Sequence, residues 1–287
     1  MDLYLGKPHK LSHPRSLGYA LSHEMKDSTV IESYKTMSKL VLDNGADELG
    51  EGQGGARLAY LAGLLQPNWI ILPDVLHKDK KTRKRSIEFY ESMKDTDYHG
   101  KYMAVIQAKD LQSGLESYRF WDQSGIVDRI GVTYDTKIKT EISEGLPLWA
   151  KRLGFLEHLT TSREFTKGNG TGIHMLGTLE VRELFTLFRH PMFKKILDLD
   201  LIHSHDTTAP YACPTKFKAL RNISFGRAKD WTPLDFNRTY TREEQEVIAW
   251  NVACYLAACK IPKEQWDQYL GFTDTNLLWG EFEKYYG

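Results

Sequence analysis

The stretch KYMAVIQAKDLQSGLESYRFWDQSGIVDRIGVTYD, Lys101 to Asp135, decides the fold class. A short apolar run of β formers, Tyr102 to Ile106, gives way to polar residues and then to a helical pattern from Leu111 to Gln123. A second apolar run, Ile130 to Tyr134, follows. A strand, a helix and a strand in that order make a βαβ unit, which places the two strands parallel. The same rhythm extends in both directions. Further strand-like runs occur at Leu3 to Leu5, Leu40 to Leu42, Trp69 to Leu72, Ile173 to Leu176 and Leu201 to His203. Helical patterns occupy Ala56 to Leu65, Lys81 to Met93, Leu148 to Leu159 and Leu179 to Leu197. Seven strands are countable, and the weakly patterned stretch Lys216 to Ser224 is the expected place of an eighth. The expectation is an α/β protein with a (β/α)8 TIM-type barrel, an open doubly wound sheet being the rival.

The glycine-rich segments do not favour that rival. No GxxxxGK[ST] occurs, so a P-loop is excluded. One GxGxxG occurs, Gly50 to Gly55, with Asp74 at the end of the next strand where a ribose-binding acid belongs. Asp43 to Leu49, however, separate it from the strand that it should follow directly. From Thr241 the pattern turns wholly helical, with Arg242 to Ala258 behind a Thr241/Glu244 capping pair and Lys263 to Leu270 after Pro262. The expected organisation is a barrel over residues 1–240 and a helical extension packed on it over residues 241–287.

Composition bounds the function classes. With 41% hydrophobic residues, 26% charged residues and 38 Lys+Arg against 38 Asp+Glu among 287, the chain reads as globular and not as disordered. The longest apolar stretch, near Val247 to Cys259, is far short of the roughly 20 residues that span a bilayer, so no membrane association is expected. Met1 to Lys10 has no basic region leading into an apolar run, which makes the cytoplasm the expected compartment. Three cysteines without a CxxC fit a reducing environment.

In a parallel barrel the active site lies at the C-terminal ends of the strands, so polar residues directly after apolar runs are the candidates. These are Asp43 and Asn44 after Leu42, Asp74 after Leu72-Pro73, Gln107 after Ile106, Tyr134 and Asp135 after Val132, and His203, His205 and Asp206 after Ile202. Any one of them alone reads equally well as a helix cap or a turn closer. Together they bring several carboxylates and an amide to one mouth.

The ordered set Asp43-Asn44-Gly45-Ala46, Leu72-Pro73-Asp74-Val75, Ala104-Val105-Ile106-Gln107, Arg129-Ile130-Gly131-Val132 and His205-Asp206-Thr207 with Pro210 resembles the tRNA-guanine transglycosylase family. It resembles most its phage relatives that exchange guanine for a 7-deazaguanine in DNA. The likeness spans about Leu40 to Ala212 and implies a (β/α)8 barrel. It further implies that Asp206 matches the aspartate nucleophile and Asp43 the general acid/base of the family's Asp-Ser-Gly-Gly motif. Asp74 and Gln107 match the pair that binds the guanine edge, and Gly131 matches a backbone contact to the base. Asn44 stands where the family has Ser, Ala46-Asp47-Glu48 where it has Gly-Phe-Gln, and Ala108 where it has Gly. These departures bear on which base is preferred.

The chemistry that the resemblance implies suits these residue types. Exchange at C1′ with retention passes through an oxocarbenium-like transition state, which two carboxyl groups on opposite faces of the sugar can serve. Asp206 would attack C1′ while Asp43 protonates the departing guanine and later takes a proton from the incoming free 7-deazaguanine. Asp74 and Gln107 complement the donors and the acceptor of guanine. No cofactor is needed for that scheme. The family's Cys-x-Cys-x-x-Cys cluster is missing, and Cys254 and Cys259 read as core thiols, so no structural zinc is expected. A competing reading takes His203 and His205, two apart on a strand, as ligands of a divalent ion in a metal-dependent barrel hydrolase, with His9, His13, His158 and His174 as further suppliers. A third is a catalytically silent nucleic-acid binding module.

The zero net charge conceals unlike regions. Lys78, Lys80, Lys81, Arg83, Lys84 and Arg85 oppose Asp79 alone, for a local net of +5, and Lys216 to Asp230 carries +4. The part from Thr241 carries four basic against eight acidic residues. The first cluster is the expected phosphate-contacting surface, and Phe217, Phe225 and Trp231 near the second are candidates for stacking on an extruded strand. DNA is the expected partner and tRNA the alternative. A homodimer and an accessory protein that presents the substrate stay open.

Overall fold

In the computed structural model the described residues are 1–6, 17–143, 148–166, 170–178, 180–207, 209–212, 239–270 and 278. Eight parallel strands form a closed barrel in sequence order. They are β1 (Asp2–Leu5), β2 (Leu17–Leu21), β3 (Lys39–Asp43), β4 (Trp69–Ile71), β5 (Lys101–Ile106), β6 (Arg129–Thr133), β7 (Ile173–Leu176) and β8 (Ile202–Thr207). Strand β1 pairs with β8 through Asp2↔Ser204 to Leu5↔Thr207 and with β2 through Leu5↔Gly18, which closes the ring. The architecture is therefore the (β/α)8 barrel, and the open doubly wound alternative is excluded.

The ring corrects one expectation. The strand missing from the count is Leu17–Leu21, whereas the expected place, Lys216 to Ser224, lies outside the described residues. LGYAL carries no β-branched residue and has glycine as its second residue, a weak strand signal by propensity. Its glycine is a packing requirement: a Cβ at Gly18 would come within 1.8 Å of Met37 Sδ. Full burial on both faces, which only the closed ring supplies, outweighs the poor propensity.

Helices α1 (Ser28–Lys35), α2 (Ala46–Leu49), α3 (Gly55–Leu65), α4 (Asp79–Met93), α5 (Leu111–Ser124), α6 (Leu148–Thr161), α7 (Val181–Arg189), α8 (Lys194–Asp198), α9 (Ala209–Ala212), α10 (Arg242–Ala258) and α11 (Asp267–Leu270) surround the sheet. α5 starts cleanly because Asp110 and Ser113 form a reciprocal capping box, and Thr241 with Glu244 does the same for α10. α10 buries residues nearly all round, from Ile248 to Leu256, and packs on α7 and α9. Its Tyr255 hydroxyl donates to the Thr178 carbonyl, and Cys259 just beyond it lies 3.2 Å from His205 Nε2. Among the described residues no helix is long and apolar enough to cross a membrane.

Inside the barrel the strand alternation sends Tyr19, Asp43, Ile71, Val105, Thr133, Leu176 and Asp206 toward the C-terminal end. A β-bulge between β7 and β8 shifts the register from Ile173↔Ile202 to His174↔Ser204, so His203 is the extra residue. That shift sets the side-chain sequence of the candidate site.

Candidate active site

The C-terminal mouth holds a cavity of about 190 Å³, and Asp43, Asn44, Asp74, Gln107 and Asp206 all line it. Tyr19, Thr133, Tyr134, Asp135 and Leu176 complete much of its wall. Gly131 is not among the lining residues. It sits lower in β6, where a Cβ would meet Leu176 Cδ1 at 2.5 Å.

Asp43 ends β3 and is fixed from two sides. The Gly45 amide donates to its Oδ1 at 2.6 Å, and the Tyr19 hydroxyl donates to Oδ2 in a short contact. Gly45 must be glycine, because its φ is +75° and a Cβ would come within 2.7 Å of His23 Nδ1. Asn44 follows with its amide turned inward, donating to the Leu72 carbonyl and to Asp74 Oδ1, both at 2.9 Å. Gln107 donates from Nε2 to Asp74 Oδ2 at 2.5 Å and accepts from the His77 backbone amide at 2.9 Å. Asp74 is thus clasped by two amides 30 and 33 residues away in the chain. Burial pushes its carboxyl up to about 7, against the opposing pull of those two donors, with the nearby Asp43 adding to the rise.

The glycine-rich segment is a brace for these loops. The Gly52 amide donates to the Asp74 carbonyl and the Gln53 amide to the Asn44 carbonyl, both at 2.8 Å, while Arg85 donates to the Gly52 carbonyl at 2.9 Å. A Cβ at Gly52 would strike Asn44 Oδ1 at 2.4 Å. These contacts join the ends of β3 and β4 into one rim.

Across the mouth, Asp206 projects from β8. Its Oδ1 accepts the Gly177 backbone amide at 3.0 Å and lies 2.9 Å from His174 Nε2, while His174 Nδ1 lies 2.7 Å from Ser204 Oγ. Burial pushes Asp206 up to about 7 and holds His174 well below the usual imidazole range, where Arg129 and Arg152 press in the same direction. Burial thus favours neutrality on both sides of a contact that would otherwise be an ion pair. A buried clamp supports the adjacent strand ends. Arg152 makes a bidentate pair with Glu183 at 2.7 and 2.5 Å and donates to the Val132 and Leu176 carbonyls at 3.0 and 2.5 Å. Both side chains of that pair are wholly buried.

His203 and His205 do not face the mouth. His205 points outward to Cys259 and is buried there, and His203 packs over Gly172 at the opposite end of β7. The two-residue spacing does place neighbours on one side of a strand, but here it is the outer side. Among the described residues no group of three or more His, Cys, Asp or Glu is gathered as a metal site. His9 and His13 lie outside the described residues.

The basic run after β4 divides in two. Arg83 pairs with Asp79 at 2.7 Å and stacks over Phe120, and Arg85 pairs with Glu51 at 3.0 Å. Lys78, Lys80 and Lys84 are exposed, and Lys81 is exposed in a surface pair with Glu51. Among the described residues Lys78 and Lys80 make no ion pair, and Lys84 reaches only Glu88 at 3.8 Å. The second cluster, Lys216 to Asp230, and Trp231 lie outside the described residues.

Tyr19, His174, Arg152 and Glu183 are absent from the residues singled out in the sequence for proton chemistry or positioning. Tyr19 was hidden with its strand. His174 carried a legible signal, a lone histidine two positions before Leu176 on an apolar strand, which places it inside the barrel. Arg152 and Glu183 are ordinary charged residues of helical patterns, and nothing in the sequence pairs them. Neither the protein-family models nor the curated proteins matched this chain.

Proposed function

We propose that this barrel is a base-exchange transglycosylase that replaces guanine in DNA with a free 7-deazaguanine base through a covalent aspartyl-glycosyl intermediate. The observation that carries the reading is the meeting, in one small cavity, of Asp206 and Asp43 with a buried Asp74–Gln107 pair between amide donors. The motif resemblance supplies the substrate class, and the preference for DNA rests on the likeness to phage enzymes.

Asp206 as a carboxylate attacks C1′, and the C1′–N9 bond electrons leave with guanine. Asp43, protonated, gives its proton to the departing base. The incoming base then loses its N9 proton to Asp43 and attacks C1′, and the ester bond breaks to return the Asp206 carboxylate. Both displacements invert, so the sugar keeps its configuration. Tyr19 and the Gly45 amide orient Asp43 for both transfers.

Asp74 offers lone pairs to the N1–H and N2–H₂ donors of guanine, and Gln107 retains a second Nε2 proton for O6. Adenine presents the reverse pattern and would leave these groups unpaired, at a cost of about 1 to 3 kcal/mol each. At about 190 Å³ the cavity is smaller than the roughly 300 Å³ at which pockets for drug-sized ligands begin, which suits one heterocycle and its sugar edge. A target base must therefore leave the stack to enter. Lys78, Lys80, Lys81 and Lys84 are the exposed cations of this run available for phosphates, whereas Arg85 holds the Gly52 brace and Arg83 is taken up by Asp79 and Phe120.

The test is guanine exchange with labelled guanine, offering DNA and tRNA in parallel, together with trapping of a protein–nucleic acid adduct. Incorporation into DNA and loss of the adduct in Asp206→Ala are the expected results. Incorporation into tRNA alone would correct the substrate, and incorporation into neither would overturn the reading.

A further inference from the structure

The mouth is connected to the far end of the barrel by polar side chains, partly buried at Arg129 and wholly buried at Ser204 and His174, that the proposed chemistry does not itself use. Arg129, at the start of β6, donates from Nη1 to Ser204 Oγ at 2.6 Å. Ser204 Oγ lies 2.7 Å from His174 Nδ1, and His174 Nε2 lies 2.9 Å from Asp206 Oδ1. Ser204 and His174 are wholly buried, and the β-bulge at His203 is what brings them side by side. A polar chain of this kind inside an apolar barrel stands only if each donor meets an acceptor.

One proton order satisfies Ser204, His174 and Asp206 together. A guanidinium has donors only, so Ser204 Oγ accepts from Arg129 and its own hydrogen turns to His174 Nδ1. Nε2 then carries the ring proton and donates to Asp206. The opposite tautomer would aim the Nε2 lone pair at an oxygen that already accepts from Gly177. With Oδ1 holding both the imidazole and the amide donor, Oδ2 is the oxygen outside that pair of bonds.

We propose that Arg129, Ser204 and His174 form a directional hydrogen-bond chain that ties Asp206 by Oδ1 and presents Oδ2 to the sugar, making His174 the positioning residue of the nucleophile. The assignment of Asp206 as nucleophile rests on the transglycosylase reading, while the chain itself does not. The donated bond favours the ionised carboxyl and counters the burial that raises it. The charged and titratable groups around the imidazole are Arg129 from β6, Arg152 from α6, His205 and Asp206 from β8, and the Tyr4 ring of β1 at 6.2 Å. Both arginines disfavour a charged imidazole, so the ring stays a neutral donor.

The test has a readout that needs no substrate. In the intact protein, nitrogen NMR of His174 is expected to show a neutral ring protonated on Nε2, and a charged ring or an Nδ1 proton would overturn the proposal. Carbon NMR titration of the Asp206 carboxyl follows. Its midpoint is expected to rise by about one unit in His174→Phe, to return toward wild type in His174→Gln, and to rise less in Ser204→Ala. An unchanged midpoint in Ser204→Ala or in a folded His174→Phe would overturn the chain. If exchange activity exists, adduct formation should slow by about tenfold to a hundredfold in His174→Phe, with its pH profile moved toward alkali, and recover partly in His174→Gln. A normal His174 spectrum and shifted Asp206 midpoints without any exchange would overturn the transglycosylase reading and leave the chain standing.

Discussion

The two ends of this barrel are built from the same strands and carry charge in opposite ways. At the C-terminal mouth Asp74 and Asp206 are buried, each clasped by two donors, and pushed up to about 7. At the N-terminal end a wider cavity of about 490 Å³ is lined by Asp2, Lys39, Trp69, Lys101 and Arg129. Its ion pairs, Lys39 with Asp2 and Lys101 with Asp128, are solvated and half exposed. Solvent screens the ion pairs at the N-terminal end, whereas the two carboxyls at the mouth are almost wholly buried. Burial, and not the count of charges, is what distinguishes the mouth from the other end.

The sharpest way to break that comparison is to delete one carboxylate at each end. Asp206→Ala should reduce exchange by about 10⁴-fold or more and abolish the trapped adduct. Asp2→Ala should leave the rate within about twofold. Comparable losses at both ends in steady-state assays would contradict the contrast. Stability offers the next test. Arg152→Met strands Glu183 in a dry interior and should cost about 3 to 5 kcal/mol in urea unfolding, against about 0 to 1 kcal/mol for Lys39→Ala.

A smaller effect appears in pH dependence. If Asp74 binds guanine as proposed, it does so as a carboxylate, and base affinity by calorimetry should rise roughly tenfold between about pH 6 and pH 8, with Asp74→Asn removing that rise. The stability sign is the reverse. The folded state holds the Asp74 proton more tightly than the unfolded chain does. The resulting stabilisation is complete below about pH 4 and is lost as pH climbs through about 7. Melting temperatures of Asp74→Asn should therefore change less with pH across that window than those of the parent protein. The smallest expected effect is in the basic run: alanine at Lys78 and Lys80 together should weaken DNA binding by about tenfold at low salt and flatten the salt dependence by about two counterions.

Much of the architecture was legible because parallel strands and their helices leave strong periodic signals. Seven of the eight strands are visible as apolar runs, and the strand ends point to Asp43, Asn44, Asp74, Gln107 and Asp206, which the fold gathers into one cavity. The illegible parts have definite causes. Leu17–Leu21 is a strand because both its faces are covered, a property of its neighbours and not of LGYAL. The facing of His203 and His205 depends on the orientation of β8 relative to α10, and the pairing of His174 with Ser204 depends on a one-residue bulge.

The sequence by itself determined the alternating elements and the kinds of chemistry at the strand ends, since period and residue type are local properties. Only the tertiary structure decided which carboxyls are dry, which cations of the basic run remain available, and which histidine meets Asp206. Desolvation and hydrogen-bond partnership are set by groups tens of residues away, and they exist only once the barrel closes.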